Sequence, residues 1–442
     1  MEATAQSVED LLIDGLSFKL RSGASYITNR RSVSYYPQGG NSYSPNGVKV
    51  IRLQLTGDSW LDPSTLRVVF TLVNDGATAA QKLYPVSGPW SFFRRLRVLA
   101  GGQLIEDIDY YNRVHEMFHS YQSTNVRLND TTEGFLTNTY NLNEINYSPT
   151  NIGTAIPGAG GSFTVSFRPL SGLINQDKFL PIRYCPLTLE FEVCNNMSDC
   201  IICPTVINPQ TNDFTSGNTS TVWHIEQFQV KADVVTLDNA LDNEYAAHLL
   251  SGKSLPINFS TYTTQLQAIT PNSNVAINVQ RAFTRLKSAF ISLVNSNVLT
   301  NGIHKEFNFF YNPGYGDASI YDSRTDFQFQ MQIGSKQFPE MPITSNQEAF
   351  YQLRKCLGVQ ASTFHFIDVK PYEYQSTKYV IGIDTEKCLG SGFTGLNTKA
   401  GDLMTLKFNK MRTDGNAADK MYVIMHADII MNIRDSGVEV FE

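Results

Sequence analysis

The stretch Leu187-Thr188-Leu189-Glu190-Phe191-Glu192-Val193 alternates apolar and polar side chains. Successive side chains of a β-strand point to opposite faces of its sheet, so this alternation predicts a strand with one buried and one solvated face. The pattern recurs at residues 51–55, 66–72, 163–167, 327–333 and 404–408. Clusters of Gly, Pro, Asn and Asp separate these strands, with few helices between them, which predicts an all-β protein made of sandwiches or barrels.

A chain of 442 residues is longer than one hydrophobic core usually supports, so two domains are expected. The polar run 204–221 is rich in Asn, Thr, Ser, Pro and Gly and is the expected linker. Trp223 would then open the second domain. The expected division is an N-terminal arm at 1–45, a first sandwich at 46–203, the linker at 204–221, and a second sandwich at 222–442 with a long loop insertion at about 300–345.

Short helices are expected in the connections, at residues 110–121, 238–250 and 346–357, because each carries apolar side chains on one side. Phe93-Arg94-Arg95-Leu96-Arg97 resembles Phe283-Thr284-Arg285-Leu286-Lys287, which indicates a duplicated domain. The N-terminal segment 7–16 is amphipathic and too short to be stable alone. We expect it to dock on its own domain or on a neighbour.

The charge of the chain limits the classes of function. Its net charge is −6, and neither end carries a basic tail, which argues against a protein that coats nucleic acid. Charged residues make up 17% of the chain, against roughly 25% in an average soluble protein. The sequence has no run of 18 or more apolar residues and its start lacks the layout of a signal peptide, so we expect folding in a reducing compartment.

The segment His115-Glu116-Met117-Phe118-His119 matches the HExxH pattern of zinc metalloproteases. On a helix this spacing places both imidazoles on one face, with the Glu beside a zinc-bound water. A third ligand would have to come from Glu133 or Glu144, and neither has a supporting context. We interpret His115 and His119 as structural residues of a packing helix, and we expect no metal, no cofactor and no catalytic residues.

Two further patterns point to chemistry by letters alone. Cys200-Ile-Ile-Cys203 is a CxxC with Cys194 nearby, but a structural zinc site needs a second pair of ligands, so free thiols are expected. Residues 390–395 match GxGxxG, yet they lack the immediate strand before and helix after that a dinucleotide site requires, and we interpret them as a loop.

Arg94, Arg95 and Arg97 lie beside Trp90 and Phe92, a basic and aromatic cluster of the kind that binds nucleic acid. Alternation in a strand would place Arg95 and Arg97 on one face. In an acidic chain we interpret this face as an intersubunit or interdomain contact, and we expect no direct sequence-specific binding of nucleic acid.

Several segments resemble double jelly-roll major capsid proteins of polinton-like viruses, adintoviruses and virophage-related lineages. Those that resemble the first domain are residues 88–102, which begin Gly-Pro-Trp-Ser-Phe-Phe-Arg-Arg, residues 105–113 and residues 186–191. Residues 231–238, 249–257 and 283–287 resemble the opening of the second domain. The resemblance runs in patches from about residue 50 to 290.

This resemblance implies two tandem eight-stranded jelly-roll sandwiches that form homotrimers. Such trimers act as pseudo-hexagonal capsomers, which tile an icosahedral shell, so the chain would be a structural component of the virion and not an enzyme. Implied partners are neighbouring trimers, minor capsid and penton proteins, and an internal membrane or scaffold reached by the N-terminal arm. The alternatives are a receptor- or carbohydrate-binding two-domain sandwich of the spike or lectin type, and the zinc metalloprotease.

Overall fold

Two sandwiches with one strand order follow each other along the chain. A computed structural model describes residues 27–123, 126–127, 133–135, 155–202, 219–301, 304–314, 327–358, 367–386, 395–399 and 403–441. The first half contains β1 (Ile27–Tyr35), β2 (Ser42–Tyr43), β3 (Val50–Leu55), β4 (Trp60–Asn74), β5 (Phe93–Ala100), β6 (Gln103–Asp109), β7 (Ser162–Phe167), β8 (Leu187–Val193) and β9 (Trp223–Leu237). The second contains β10 (Leu255–Ala268), β11 (Val275–Val279), β12 (Leu286–Val294), β13 (Gln328–Ile333), β14 (Lys336–Ile343), β15 (Val380–Asp384), β16 (Met404–Asn409), β17 (Lys420–Arg434) and β18 (Gly437–Phe441).

Each half is a jelly roll. In the first, sheet 1A has the order β1-β9-β4-β7 and sheet 1B has the order β3-β8-β5-β6. In the second, sheet 2A has the order β10-β17-β12-β15 and sheet 2B has the order β11-β16-β13-β14. Apart from β2 and β18, which add to sheets 1A and 2A, both halves place their first strand beside their last, as two eight-stranded jelly rolls do. The all-β double jelly roll is confirmed, and each alternating segment coincides with a strand, apart from Phe327, which lies one residue before β13.

The pairing changes the expected division of the chain. The strand β9, which the sequence analysis gave to the second sandwich, pairs with β4 and β1 in sheet 1A. The run 204–221 therefore joins two strands of the first sandwich, β8 and β9. The strand β1 lies inside the expected N-terminal arm 1–45, of which residues 1–26, including the amphipathic segment, lie outside the described residues. We propose a domain boundary after β9.

The expected insertion at 300–345 contains the whole of β13 and β14, so it is not one long loop. The connection that precedes them begins after β12 and carries buried aromatic side chains at Phe307, Phe309 and Phe310. The similar segments 93–97 and 283–287 do not occupy equivalent strands of the two jelly rolls. Phe93 begins β5, the fourth strand of its jelly roll, whereas Leu286 begins β12, the third strand of the other.

Three helices lie close to their expected places. They are α1 (Tyr111–Ser120), α2 (Asn239–Leu250) and α3 (Asn346–Cys356), and a fourth, α4 (Pro371–Ser376), was not expected. Asp238 caps α2 by accepting from the amide of Ala240, and Gly252 ends it at φ +79°. The cap of α3 is Ser345, which accepts from the amide of Glu348. Within the described residues, no helix has both the length and the apolar character needed to span a bilayer.

Candidate functional site: the helix between the two sandwiches

The helix α1 carries the HExxH motif and lies between the two jelly rolls. Tyr110, at φ +52°, turns the chain from β6 directly into α1. Eight of its ten residues are buried. One side packs on its own sandwich, where the His115 ring stacks on Trp90 at 4.1 Å between centroids. The other side packs on the second sandwich, where Phe118 contacts Tyr262 and Phe290 at 5.1 and 5.5 Å.

The residues that an HExxH protease would use, His115, Glu116 and His119, pack against the side chain of Trp90. The Glu116 carboxylate accepts hydrogen bonds from Ser87 Oγ at 2.5 Å and from Trp90 Nε1 at 2.8 Å. Burial raises the pKa of Glu116, and burial lowers the pKa of His115 to about 4 and that of His119 well below its usual value. Trp90 contacts both imidazoles, since the His119 ring lies 4.4 Å from it.

Among the described residues, which include Glu133 but not Glu144, no three His, Cys, Asp or Glu side chains lie close enough to hold a metal ion. The Cys194 and Cys200 sulfurs lie 3.8 Å apart, and burial raises the pKa of Cys200 well above its usual value. Cys203 and Cys388 lie outside the described residues. Among the described residues, Cys185, Cys194, Cys200 and Cys356 form no disulfide.

The described end of the GxGxxG match behaves as extended chain. Leu396 exchanges both backbone hydrogen bonds with Leu286, and a side chain at Gly395 would meet the backbone of Arg285 at 2.5 Å. Gly395 therefore allows this part of the chain to lie close to the backbone of Arg285, just before β12. Residues 390–394 lie outside the described residues. No helix begins at residues 395–399.

The arginines of β5 are paired inside the chain. Arg95 donates to both Asp107 oxygens, at 2.7 and 2.5 Å, and these hydrogen bonds raise its pKa. Arg97 lies 2.8 Å from Glu190, and Arg94 lies 3.7 Å from Asp109. Arg95 and Arg97 share a face, and their charges are balanced by Asp107 and Glu190 of the neighbouring strands.

The residue that joins the sandwiches is Arg113, to which sequence reasoning assigned no role. Its guanidinium is buried, donates to Ser292 Oγ at 3.0 and 3.2 Å, and donates to the backbone oxygens of Glu306 and Phe309. It also lies over the rings of Phe310 and Tyr422, at 4.7 and 4.4 Å. Burial lowers its pKa to about 10. An arginine on a short helix is usually exposed, so only the contact with the second sandwich identifies this role.

A second contact joins the sandwiches through Glu106 on β6. Its buried carboxylate accepts from Ser171 Oγ and from the amides of Gly172 and Leu173, at 2.8 and 3.3 Å for the two amides. Burial raises the pKa of Glu106. The loop held in this way presses Gly172 on β10, where an added Cβ would lie 1.7 Å from the Ser260 carbonyl oxygen. Only glycine fits at this point of contact.

No family model matches the sequence, and no curated protein matches it significantly. Solved structures match along nearly the whole chain. A model of the PBCV-1 virus capsid aligns with 96% of this chain and 98% of its own, at TM-score 0.57 and 13% identity. The Faustovirus major capsid protein aligns over 94% and 92%, at 0.57 and 8%. The mavirus major capsid protein aligns over 96% and 92%, at 0.50 and 11%.

The fold is that of viral major capsid proteins. At these identities the likeness concerns the path of the double jelly roll and not individual side chains. It covers both sandwiches, since the aligned part reaches almost from end to end in each chain. Within this chain, α1 packs on both jelly rolls and forms a joint between them.

Proposed function

We propose that the chain is the major capsid protein of an icosahedral double-stranded DNA virus, and that it forms homotrimers. The observation that carries this proposal is the repeated jelly-roll order in two joined sandwiches, a fold shared over nearly the full length with viral capsid proteins. Three copies of such a chain present six similar lobes. A six-lobed capsomer can occupy a lattice position with six neighbours, and so tile a shell in the virion.

The proposed role is structural and not catalytic. The geometry supports this because Glu116, the one residue of the HExxH motif that would activate water, is held by Ser87 and Trp90. The mechanism of a shell protein is burial of complementary surfaces, with trimer interfaces expected in the class above ~2,000 Å². The ion pairs of Arg95 and Arg97, with the net charge of −6, support the proposal that the chain does not bind nucleic acid in a sequence-specific way.

Further partners are proposed from the position of the N-terminal arm. Ile27, the first described residue, lines an apolar groove of about 720 Å³ together with Trp60, Leu241 and Tyr245. The strand β1 therefore begins beside α2. We propose that the N-terminal arm contacts an internal membrane or a scaffold protein, and that minor capsid and penton proteins bind the assembled trimers.

Native mass spectrometry of the purified chain at micromolar concentration tests the proposal. We expect a species of three times the 49.5 kDa chain mass, and electron microscopy of concentrated protein should show sheets or shells of six-lobed particles. A strictly monomeric protein that forms no ordered assembly would contradict it.

A further inference from the structure

We infer that β14 and α3 of one chain pack against β1 and the outer face of sheet 1A of a second copy. This contact between two chains would be equivalent to the contact that β6 and α1 make with sheet 2A within one chain. The inference rests on the proposed homotrimer and names the two surfaces that form it.

The contact inside the chain defines what has to be repeated. It joins β6, the edge strand of sheet 1B, and the helix that follows it, to β10, the edge strand of sheet 2A, and to that sheet's outer face. Gly172 touches Ser260 of β10, and Phe118 covers Tyr262 of β10 and Phe290 of β12.

A sequence repeat aligns the two A sheets residue by residue. Lys231-Ala232-Asp233-Val234-Val235 of β9 corresponds to His426-Ala427-Asp428-Ile429-Ile430 of β17. The pairing agrees, because Asp233 lies opposite Ser32 of β1 and Asp428 lies opposite Ser260 of β10.

The same alignment gives the equivalents of the two residues that Phe118 covers. Phe290 lies opposite Ile424, two residues before His426, and Val69 lies opposite Gln229, two residues before Lys231. Val69 is therefore the equivalent of Phe290. By the same pairing, Ser34 is the equivalent of Tyr262.

The receiving surface on the first sandwich is open within one chain. Six of the nine residues of β1 are exposed. Val69 is half-buried and Lys231 is exposed, whereas eight of the nine residues of β12 are buried. Beside β9 a concavity of about 520 Å³ is lined by Tyr36, Glu226 and Gln229, and Tyr36 is 67% exposed.

The surface that would fill it is equally unmatched. The strand β14 holds the place of β6 at the edge of its sheet, yet Ile343 is its one buried residue, and Met341 is 75% exposed. The helix α3 follows β14 as α1 follows β6, but only three of its eleven residues are buried. It packs on β15 through Leu353, against Gly382, and leaves Tyr351 54% exposed.

These two surfaces differ from each other and lie on different sandwiches, so they form a head-to-tail contact. Such a contact makes a ring when its rotation closes, and three chains give a ring of six sandwiches. Pro339 and Pro342 lie on β14 and remove backbone donors, so the contact is made by side chains and not by adding a strand to the sheet.

The test uses one variant on each surface. Met341→Asp combined with Tyr351→Asp places charges on the surface formed by β14 and α3. Val69→Arg places a charge on the outer face of sheet 1A. Leu250→Asp is the matched control, because Leu250 is as exposed as Met341, at 75%, and lies at the end of α2. Circular dichroism and thermal unfolding confirm that each variant folds, and native mass spectrometry reports its assembly.

We expect the wild type and Leu250→Asp to be trimeric, and each surface variant alone to be monomeric with at least a tenfold loss of trimer. A mixture of the two surface variants keeps one intact contact and should give a heterodimer but no ring. Trimers of the Met341→Asp and Tyr351→Asp double variant, or a mixture without heterodimer, would overturn the inference. A monomeric wild type would instead overturn the proposed homotrimer.

Discussion

Sheets 1A and 2A have the same strand order and share a five-residue repeat, but they differ in what covers their outer faces. In sheet 1A, β9 alternates between buried residues and residues that reach solvent, such as Lys231. In sheet 2A, β17 is buried almost throughout, because α1 and Arg113 of the first sandwich lie on it. In the covered sheet the central strands β12 and β17 are buried on both faces, whereas β9 of the other sheet is buried mainly on one.

The difference shows that the type of side chain at a matched position depends on whether another element packs on that face of the sheet, and not on its place in the strand. Where α1 lies on sheet 2A, the residues are Tyr262, Phe290 and His426. At the equivalent positions of sheet 1A they are Ser34, Val69 and Lys231. A duplicated domain therefore keeps its inner core pattern while its outer face diverges to suit the neighbour.

The largest expected effect comes from substituting the two matched residues on the outer faces of the sheets, Phe290 and Val69. Phe290→Ala should lower the free energy of unfolding by about 4 kcal/mol, because it leaves a cavity under Phe118. Val69→Ala should cost no more than about 1 kcal/mol in dilute monomer, since its side chain is half-exposed. Urea unfolding of both variants measures the difference. Equal losses would show that sheet 1A is covered as fully as sheet 2A.

The next test weakens the cover itself. Arg113→Lys keeps the charge but loses the planar group that reaches Ser292 and two backbone oxygens while it stacks on Tyr422. We expect a loss of roughly 3 kcal/mol in the free energy of unfolding, with faster proteolysis between the sandwiches. Arg434→Lys is the control, because its pair with Glu439 is exposed and should contribute less than about 0.5 kcal/mol. A loss no larger than the control's would rule out Arg113 as the joint.

Six of the strands and three of the helices could be predicted from the sequence because their patterns are local. Residues 187–193 and 238–250 show their structure without reference to any other part of the chain. The same locality explains why the expected division of the chain differs from the strand pairing. A polar run such as 204–221 indicates a connection, but it does not say whether the next strand, β9, returns to the same sheet or begins another.

The joint could not be predicted for a related reason. Arg113 is polar, and only the second sandwich surrounds it with acceptors and aromatic rings. The HExxH letters attracted attention because they match a motif, whereas in the fold His115 and Glu116 pack around Trp90. The repeat of residues 231–235 at 426–430 was visible in the sequence, and it would have aligned β9 with β17 and corrected the domain boundary.

The covered sheet should also respond to acid. Burial lowers the pKa of His426 to about 3, against about 6.5 for an unfolded histidine. As the pH falls from 6.5, the unfolded chain binds a proton that the folded chain does not, so stability falls by up to about 1.4 kcal/mol per pH unit. The buried Glu106 and Glu116 act with the opposite sign, because their raised pKa values favour the folded state at low pH.

The substitution His426→Gln isolates the contribution of this histidine. The unfolding free energy of this variant should vary less between pH 6.5 and 4 than that of the wild type or of Lys231→Gln. An unchanged slope in His426→Gln would show that this histidine is not held neutral.

The smallest expected effect compares the aspartates of the repeat. Asp428 is buried, accepts from Ser260 and lies 3.8 Å from the Lys287 ammonium, whereas Asp233 is part-exposed and shares Arg30 with Asp62. Asp428→Asn keeps the shape but removes the charge, and because Lys287 retains Glu386 at 3.1 Å, we expect a loss of only about 1 kcal/mol. Asp233→Asn should change stability within the error of thermal unfolding, since Arg30 is half-exposed to water and keeps its ion pair with Asp62. If both substitutions cost the same, the two aspartates have equivalent surroundings, and the contrast between the sheets would then stop at the residues that α1 touches directly.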